Sequence, residues 1–347
     1  MSPRRWLALT AVMIGILPLL LHAAFGFYHN RDVASGIQSL FTSFHGDIRV
    51  FRPGMLHEPP VPPLRKRLDV TWSGDLENPA LAEASGLAAS NRDADLYFAV
   101  NDSGNEPRLF LLDRTGADLG SWPFNYPKHH DIEDLSAFTL EGRSYLLVAD
   151  TGDNFFWRRT LTVFVAAQPL AAELSPDSEI EIAWSIRFTL PDGYRDIEAV
   201  AVDEASESVL LVSKRRVPAE VYQIPLQPTN EVVEAQHIAD LVLPQPTERD
   251  FREDPEYGFG RSMPTALDIA GNYLMVQTYR DAFLYEKEPG EGWQAALGRV
   301  PVRIPLPYVW GLESGSFSAG GDAWVVTGER EDQVNRTGVF EVDLGGL

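Results

Sequence analysis

From residue 68 onward, short apolar runs alternate with polar breaks rich in glycine and proline, a pattern of many short strands rather than long helices. Residues 84–116, ASGLAASNRDADLYFAVNDSGNEPRLFLLDRTG, hold one complete cycle. A start of small residues leads to an apolar run, a polar tip NDSGN, and a second apolar run ending in DRTG. The cycle recurs. Five anchors, ASGLAAS, DIEDLSA, DIEAVAV, PTALDIA and GLESGSF, carry Ser85, Glu133, Glu198, Thr265 and Glu313 at intervals of 48, 65, 67 and 48 residues. Behind them come the runs LYFAV, SYLLVAD, SVLLVSK, NYLMVQTY and DAWVVTG, which end in the tips Asn101, Asp150, Lys214, Arg280 and Glu329. The anchor-to-tip distances are 16, 17, 16, 15 and 16 residues. So constant a spacing predicts repeats, with the period of four-stranded propeller blades.

A third apolar strand follows each tip, as RLFLLD, LTVFVAA, EVYQIPL, AFLYEK and TGVFEVDL. The first four repeats leave room for a fourth strand, such as IEIAWSIRF in the second; the fifth ends at Leu347 without one. Upstream of the first anchor, LDVTWSG (residues 68–74) is a strand with no repeat of its own. Placed as the outermost strand of the last repeat, it closes the ring and removes a free sheet edge. The expected fold is therefore an all-β, five-bladed β-propeller over residues 66–347, closed by an N-terminal strand. The contrasting arrangement is an open β-sandwich.

The pattern differs before that domain. Arg4 and Arg5 precede residues 6–28, whose only side chain that ionises near neutral pH is His22, a stretch long enough to cross a bilayer as a helix. Residues 1–28 read as a signal anchor or a signal peptide. Ala23 and Ala24 offer a cleavage site, but Leu21 and His22 fit the upstream small position poorly, which favours the uncleaved anchor. Positive charge before the span puts the body outside the cytoplasm, membrane-anchored or secreted: in the periplasm or at the cell surface for a bacterial protein. Residues 29–65 read as a tether, stiffened by prolines in HEPPVPPLRKR and including DVASGIQSLFTSF, a short amphipathic segment.

Composition narrows the chemistry. The 347 residues are 44% hydrophobic, enough for a sizeable core, and carry a formal charge of −21. That charge argues against nucleic acid as a partner, because a phosphate backbone wants a basic face. Without cysteine there is no disulfide framework, thiolate zinc site or cysteine nucleophile.

In a propeller, the start of each first strand and the tip after each second strand converge on one channel mouth. The inner ring is then Ser85, Glu133, Glu198, Thr265 and Glu313. Three glutamates about a narrow axis must take protons or share a cation, and an oxygen-only donor set suits Ca2+. The alternative has each side chain turned sideways to hydrogen-bond the neighbouring blade. The outer ring contains Asn101, Asp102, Asp150, Asp153, Asn154, Lys214, Arg215, Arg280, Glu329 and Arg330. Its acids Asp102, Asp150 and Asp153 fall in the first two repeats, and Lys214, Arg215, Arg216, Arg280 and Arg330 in the others. A metal beside guanidinium groups would suit a small anionic ligand, unless those bases pair with neighbouring acids such as Asp281, Glu329 and Glu331.

The order hydroxyl, Glu, Glu, hydroxyl, Glu at Ser85, Glu133, Glu198, Thr265 and Glu313 is similar to that of the calcium-activated nucleotidases, or soluble apyrases. That resemblance implies a five-bladed propeller with calcium on its axis. The segments ASGLAAS, NDSG, DIEDLSA, ADTGDN and DIEAVAVD also resemble a group of exported bacterial β-propellers that includes relatives of the SdiA-regulated and phytase-like esterase families. This second likeness spans nearly all of residues 80–330 and implies the fold and calcium without an activity. The fourth anchor, PTALD around Thr265, departs most from the pattern.

Weaker motifs complete the survey. Adjacent His129 and His130 point apart on an extended backbone and make a poor metal pair. DTGDN reads as an Asp/Gly turn, lacking the length and terminal glutamate of an EF-hand. Sequons stand at Asn101 and Asn335, and no GxSxG, Walker or HExxH motif occurs. The leading expectation is an extracytoplasmic, calcium-binding propeller that takes a ligand or protein partner at its channel mouth and meets the membrane through its N-terminal helix. The alternatives are a calcium-dependent hydrolase of phosphate esters or anhydrides, or another esterase, and a structural scaffold.

Overall fold

A computed structural model describes residues 68–126, 131–191, 193–253, 258–330 and 337–345. The apolar span at 6–28, the tether, His129, His130, Glu331 and Asn335 lie outside the described residues. Among the described residues no helix is long and apolar enough to cross a membrane.

The chain is all-β and built of blade-like antiparallel sheets. It opens with β1 (Val70–Asp75), which pairs with none of the strands that follow it directly. β2 (Ala84–Ala89), β3 (Leu96–Asn101), β4 (Arg108–Asp113) and β5 (Asp118–Asn125) form one meander; β6 (Ile132–Leu140), β7 (Arg143–Asp150), β8 (Leu161–Ala167) and β9 (Ile180–Thr189) form the next. A short parallel pairing of β5 with β9 fuses their outer edges into one sheet. β10 (Ile197–Asp203), β11 (Ser208–Ser213), β12 (Glu220–Pro225) and β14 (Gln236–Asp240) follow; β13 (Val232–Glu234), between the last two, crosses back to lie parallel to β9. After helix α1 (Glu248–Glu253) come β15 (Pro264–Ala270), β16 (Tyr273–Thr278), β17 (Asp281–Glu286) and, beyond helix α2 (Trp293–Leu297), β18 (Val302–Pro305). The last sheet holds β19 (Ser314–Phe317), β20 (Ala323–Thr327), β21 (Gly338–Asp343) and, on its outer edge, β1.

The orphan strand expected at residues 68–74 thus pairs antiparallel with β21, from Val70 opposite Val342 to Asp75 opposite Gly338. Joining the first and last described strands in one sheet covers the edge that β21 would expose. The backbone N–H of Leu76 donates to Thr337 O (3.0 Å), and the Arg330 guanidinium donates to the carbonyls of Leu76 (2.7 Å), Asn78 (2.8 Å) and Leu81 (3.3 Å).

The innermost strands β2, β6, β10, β15 and β19 touch in succession, and β19 touches β2. All are largely buried, and β2 (ASGLAA) and β10 (IEAVAVD) are buried along their whole length, which accounts for their small and apolar residues. The core is divided among the gaps between neighbouring sheets. Phe98, Leu109 and Trp122 meet Leu135, Leu146 and Val148; Phe138, Leu147 and Phe188 meet Val200, Leu211 and Tyr222. Leu210 and Val221 pack with Leu274 and Phe283, and Met275 and Ile304 with Trp324 and Val326. The circuit closes where Leu76, Leu87 and Phe110 meet Val325 and Val339. At about 1.5–3 kcal/mol for each large apolar side chain removed from water, these gaps are what hold the sheets together.

The register also places the polar residues. At the top of the first four inner strands a bulge interrupts the ladder, between Ala84 and Gly86, Ile132 and Asp134, Ile197 and Ala199, and Pro264 and Ala266. The skipped residues are Ser85, Glu133, Glu198 and Thr265. A bulge leaves one residue unpaired and re-aims its side chain, and here it does so at every one of these anchors. Opposite the bulges lie the ends of the second strands, with Ala84 facing Asn101, Ile132 facing Asp150, and Ile197 facing Ser213 beside Lys214.

Candidate functional site

The two hydroxyl anchors make bonds between sheets. Ser85 Oγ donates to Ile132 O (3.2 Å), and Thr265 Oγ1 donates to Leu312 O (3.0 Å). Thr151 Oγ1 does the same to Ile197 O (2.7 Å). Each accepting carbonyl belongs to the residue just before a ring glutamate: Glu133, Glu198 and Glu313. The hydroxyls therefore fix the backbone from which the carboxylates project. Further staples lie deeper, where Asp134 accepts the N–H of Val200 (2.8 Å) and Asp268 that of Phe317 (2.9 Å).

All three ring glutamates are buried, but their surroundings differ. Lys214 Nζ lies between two of them, 2.7 Å from Glu198 Oε2 and 2.9 Å from Glu313 Oε1. Tyr279 donates its hydroxyl to the same Glu313 oxygen, and its ring lies 5.4 Å from the ammonium. Burial alone would lower the Lys214 pKa; Glu198 and Glu313 instead hold it well above the ordinary lysine value. A charged ammonium thus serves as the built-in counterion of Glu198 and Glu313.

Glu133 has no such partner. Its Oε1 is buried and makes no hydrogen bond, and neither does the buried Oδ1 of Asp131. Oxygens of Asp102, Asp131 and Glu133 lie within 4.8 Å of one another. Burial raises all three acids. Asp102 is pushed up to about 8 by burial and by the charges of Glu313 and Asp131; Glu133 goes well above its ordinary value through burial and then Glu198; Asp131 rises through burial and then Asp196.

The loop after β7 builds this cluster. Asp150 accepts the N–H of Asp131 (3.0 Å), and the N–H of Gly152 donates to Asp131 O (3.2 Å). Arg158 ties the loop down through Asp150 Oδ1 (2.8 Å) and Gly152 O (2.7 Å). Asp153 accepts the N–H groups of Trp157 (2.7 Å) and Arg158 (2.9 Å), the arrangement of an Asp-centred turn. Gly152 lets the carboxylates pack directly against its backbone. A Cβ there would lie 1.9 Å from Glu133 Oε1 and 2.5 Å from Asp131 Oδ2.

The outer bases are engaged by protein groups. Arg215 pairs with Asp196 (2.5 Å) and donates to Asn154 Oδ1. Arg216 and Arg195 reach Glu220, Arg280 lies 3.5 Å from Asp250, and Arg330 is committed to the carbonyls at the ring closure. Asn101 is likewise taken up by backbone, accepting the N–H of Glu83 (3.1 Å) and donating to Ala80 O (2.6 Å). Glu329 approaches Glu313 and Asp102, their oxygens again within 4.8 Å. Burial, then Glu313 and Glu83, push it up to about 7.

Three participants escaped the reading of single anchors. Asp131 and Asp196 open the twin motifs DIED and DIEA; their shared Asp-Ile-Glu was the available signal. Tyr279 carried none, being one aromatic among many at strand ends.

No family model matches the chain, and no curated protein matches it. Solved structures with a similar chain path include the WD40 repeats of RRP9, at 13% identity and TM-score 0.41 over 82% of this chain and 99% of that one. The glutaminyl cyclase of Myxococcus xanthus matches at 12% identity and TM-score 0.43, over 80% and 97%. A nidogen/laminin complex matches at 13% identity and TM-score 0.38, over 71% and 73%. None of these bears on the chemistry of the site.

Proposed function

We propose that this chain is an exported five-bladed β-propeller that binds calcium at the inner ends of its first two blades and receives a ligand at the channel mouth. The observation that carries the metal reading is the orphaned Glu133 Oε1 beside Asp102 and Asp131. A buried carboxylate oxygen without a donor is costly, and two such oxygens, on Glu133 and Asp131, with Asp102 beside them, are relieved by a cation. The donor set fits calcium, being all oxygen, with water completing the about six to eight oxygens the ion takes. Asp102, Asp131 and Glu133 would hold the ion, while Ser85 sets the backbone of Glu133. The ion would supply positive charge that locks the 150–158 loop against the first sheet.

Of the five-residue ring read in the sequence, this proposal keeps Glu133 as a ligand and gives Glu198 and Glu313 to Lys214. The N-terminal apolar span supports a location outside the cytoplasm, tethered to the membrane. A hydrolase of phosphate esters is less well supported, because Lys214, Arg215 and Arg280 are occupied by Glu198, Asp196 and Asp250.

The test is thermal melting of the full-length protein in chelator, magnesium and calcium. Binding to the native state alone raises Tm as RT ln(1 + [L]/Kd) dictates. The proposal expects a rise in calcium that saturates and is not matched by magnesium. An unchanged Tm up to millimolar calcium contradicts it.

A further inference from the structure

We infer that the cavity at the channel mouth, between the 306–311 loop and Glu329, is a binding site for an organic cation: an ammonium group carried on an apolar body. The inference rests on the reading that the mouth receives a ligand, and it gives that ligand a chemical class. The cavity encloses about 520 Å³ and is lined by Leu306, Tyr308 and Trp310 together with Arg280, Glu313 and Glu329. Small-molecule sites fall in the range of about 300–1,000 Å³ and combine apolar walls with a few polar groups.

The walls are unusual for this protein. Tyr308 is 86% exposed, more than any other described large hydrophobic, and Trp310, two residues on, is 45% exposed. Folding gains little from leaving both rings in water, so their use lies in what they meet there. The loop is built to bring them to an acid. Gly311 adopts φ +49°, and a Cβ on it would lie 2.6 Å from the Glu329 carboxylate. The backbone N–H of Glu329 donates to Gly311 O (3.0 Å). Glycine thus permits an approach that presses the aromatic loop onto the carboxylate.

The charge of the cavity selects the ligand. Lys214 and Tyr279 are both spent on Glu313 Oε1, and Arg280 faces Asp250. Among the described residues no lysine or arginine forms an ion pair with Glu329. An anion entering here would meet Glu329 and the Lys214-paired Glu313, with Arg280 alone to offset them, and a neutral body would gain only the apolar wall. An ammonium gains both the carboxylate and the faces of the two rings, the combination that recognises organic cations elsewhere.

Three probes of one shape test the inference on the full-length protein by calorimetry: phenethylammonium, 2-phenylethanol and phenylacetate. Phenethylammonium should bind at least about tenfold tighter than the other two. Trp310→Ala and Glu329→Gln should each weaken it by about tenfold, while Trp310→Ala keeps the calcium response of the melt. Equal binding of the alcohol, or preference for phenylacetate, overturns the cation class and leaves a mouth ligand of another kind. Binding by none of the three contradicts the ligand reading itself. One-for-one displacement of phenethylammonium by calcium overturns the inference by making Glu313 and Glu329 a metal site. The Glu133→Gln variant, titrated with calcium alone, reports separately on the metal.

Discussion

Glu133 and Glu198 stand at equivalent bulges of neighbouring inner strands, their oxygens within 4.8 Å of each other, and Glu313 leads into a third inner strand; all three are buried. Glu198 and Glu313 share an ammonium from the same chain at ion-pair distance, whereas Glu133 forms no ion pair among the described residues and meets the acids Asp102, Asp131, Asp196 and Glu198, with Lys214 acting on it only from farther away. One repeat motif has thus been completed in two ways: an internal lysine pairs with two carboxylates and offsets one of their two charges, and Glu133 is left to an external cation or to protons. An axial ring of acids is therefore not by itself one metal site; whether a second-strand tip brings a lysine within reach of an acid decides that acid's fate. Asp150 is the tip beside Glu133, and Lys214 the tip beside Glu198.

The largest effect should come from removing the internal cation. Lys214→Met leaves Glu198 and Glu313 buried without their partner, at a cost of about 3–5 kcal/mol in chelator, read by urea denaturation. Adding Glu198→Gln should recover part of the loss. If Lys214→Met costs nothing, the ring carboxylates do not differ as argued. Glu133→Gln should do the opposite. It should leave or raise stability in chelator by relieving like charge, and abolish the calcium-dependent gain, which amounts to about 2.7 kcal/mol at a hundredfold excess over Kd.

Arg330→Ala sharpens the contrast between cations used on acids and one used on backbone. It removes donors from three carbonyls at the ring closure and should cost about 1–3 kcal/mol, with the calcium midpoint unchanged in titrations. The last contrast is in pH. Asp102 and Asp153 titrate at about 8 and Glu329 at about 7, each above the ordinary carboxylate range through burial. The folded state holds protons there that the unfolded chain has released. Their stabilising contribution is full below about pH 4 and is lost as pH rises through 7–8. In chelator, Tm should therefore fall between pH 5 and 8.5, and calcium should flatten the fall by binding the ionised Asp102.

Much of the fold was legible because strand periodicity and turn residues are local signals. Anchor and tip spacing anticipated the hairpins that set Ala84 against Asn101 and Ile132 against Asp150, and the missing last strand pointed to the pairing of Val70–Asp75 with β21. The parallel joins of β5 and β13 to β9 were not legible, since they depend on how loops fold back across sheets. At the site, the polar ring could be named from sequence, but its division could not. Which carboxylate a lysine reaches depends on side-chain direction at a bulge, and Lys214 reads in sequence only as a rim base. Arg330 reads in the same way and turns to carbonyls 249 to 254 residues distant in the chain.

The division of the ring is tested most directly by calorimetric titration of calcium into the full-length wild type, Glu133→Gln and Glu198→Gln at pH 7.5. The account predicts one ion bound by the wild type, retention of that ion by Glu198→Gln with affinity changed less than about tenfold, and its loss in Glu133→Gln. Equal loss in both variants, or binding that survives Glu133→Gln, would contradict it.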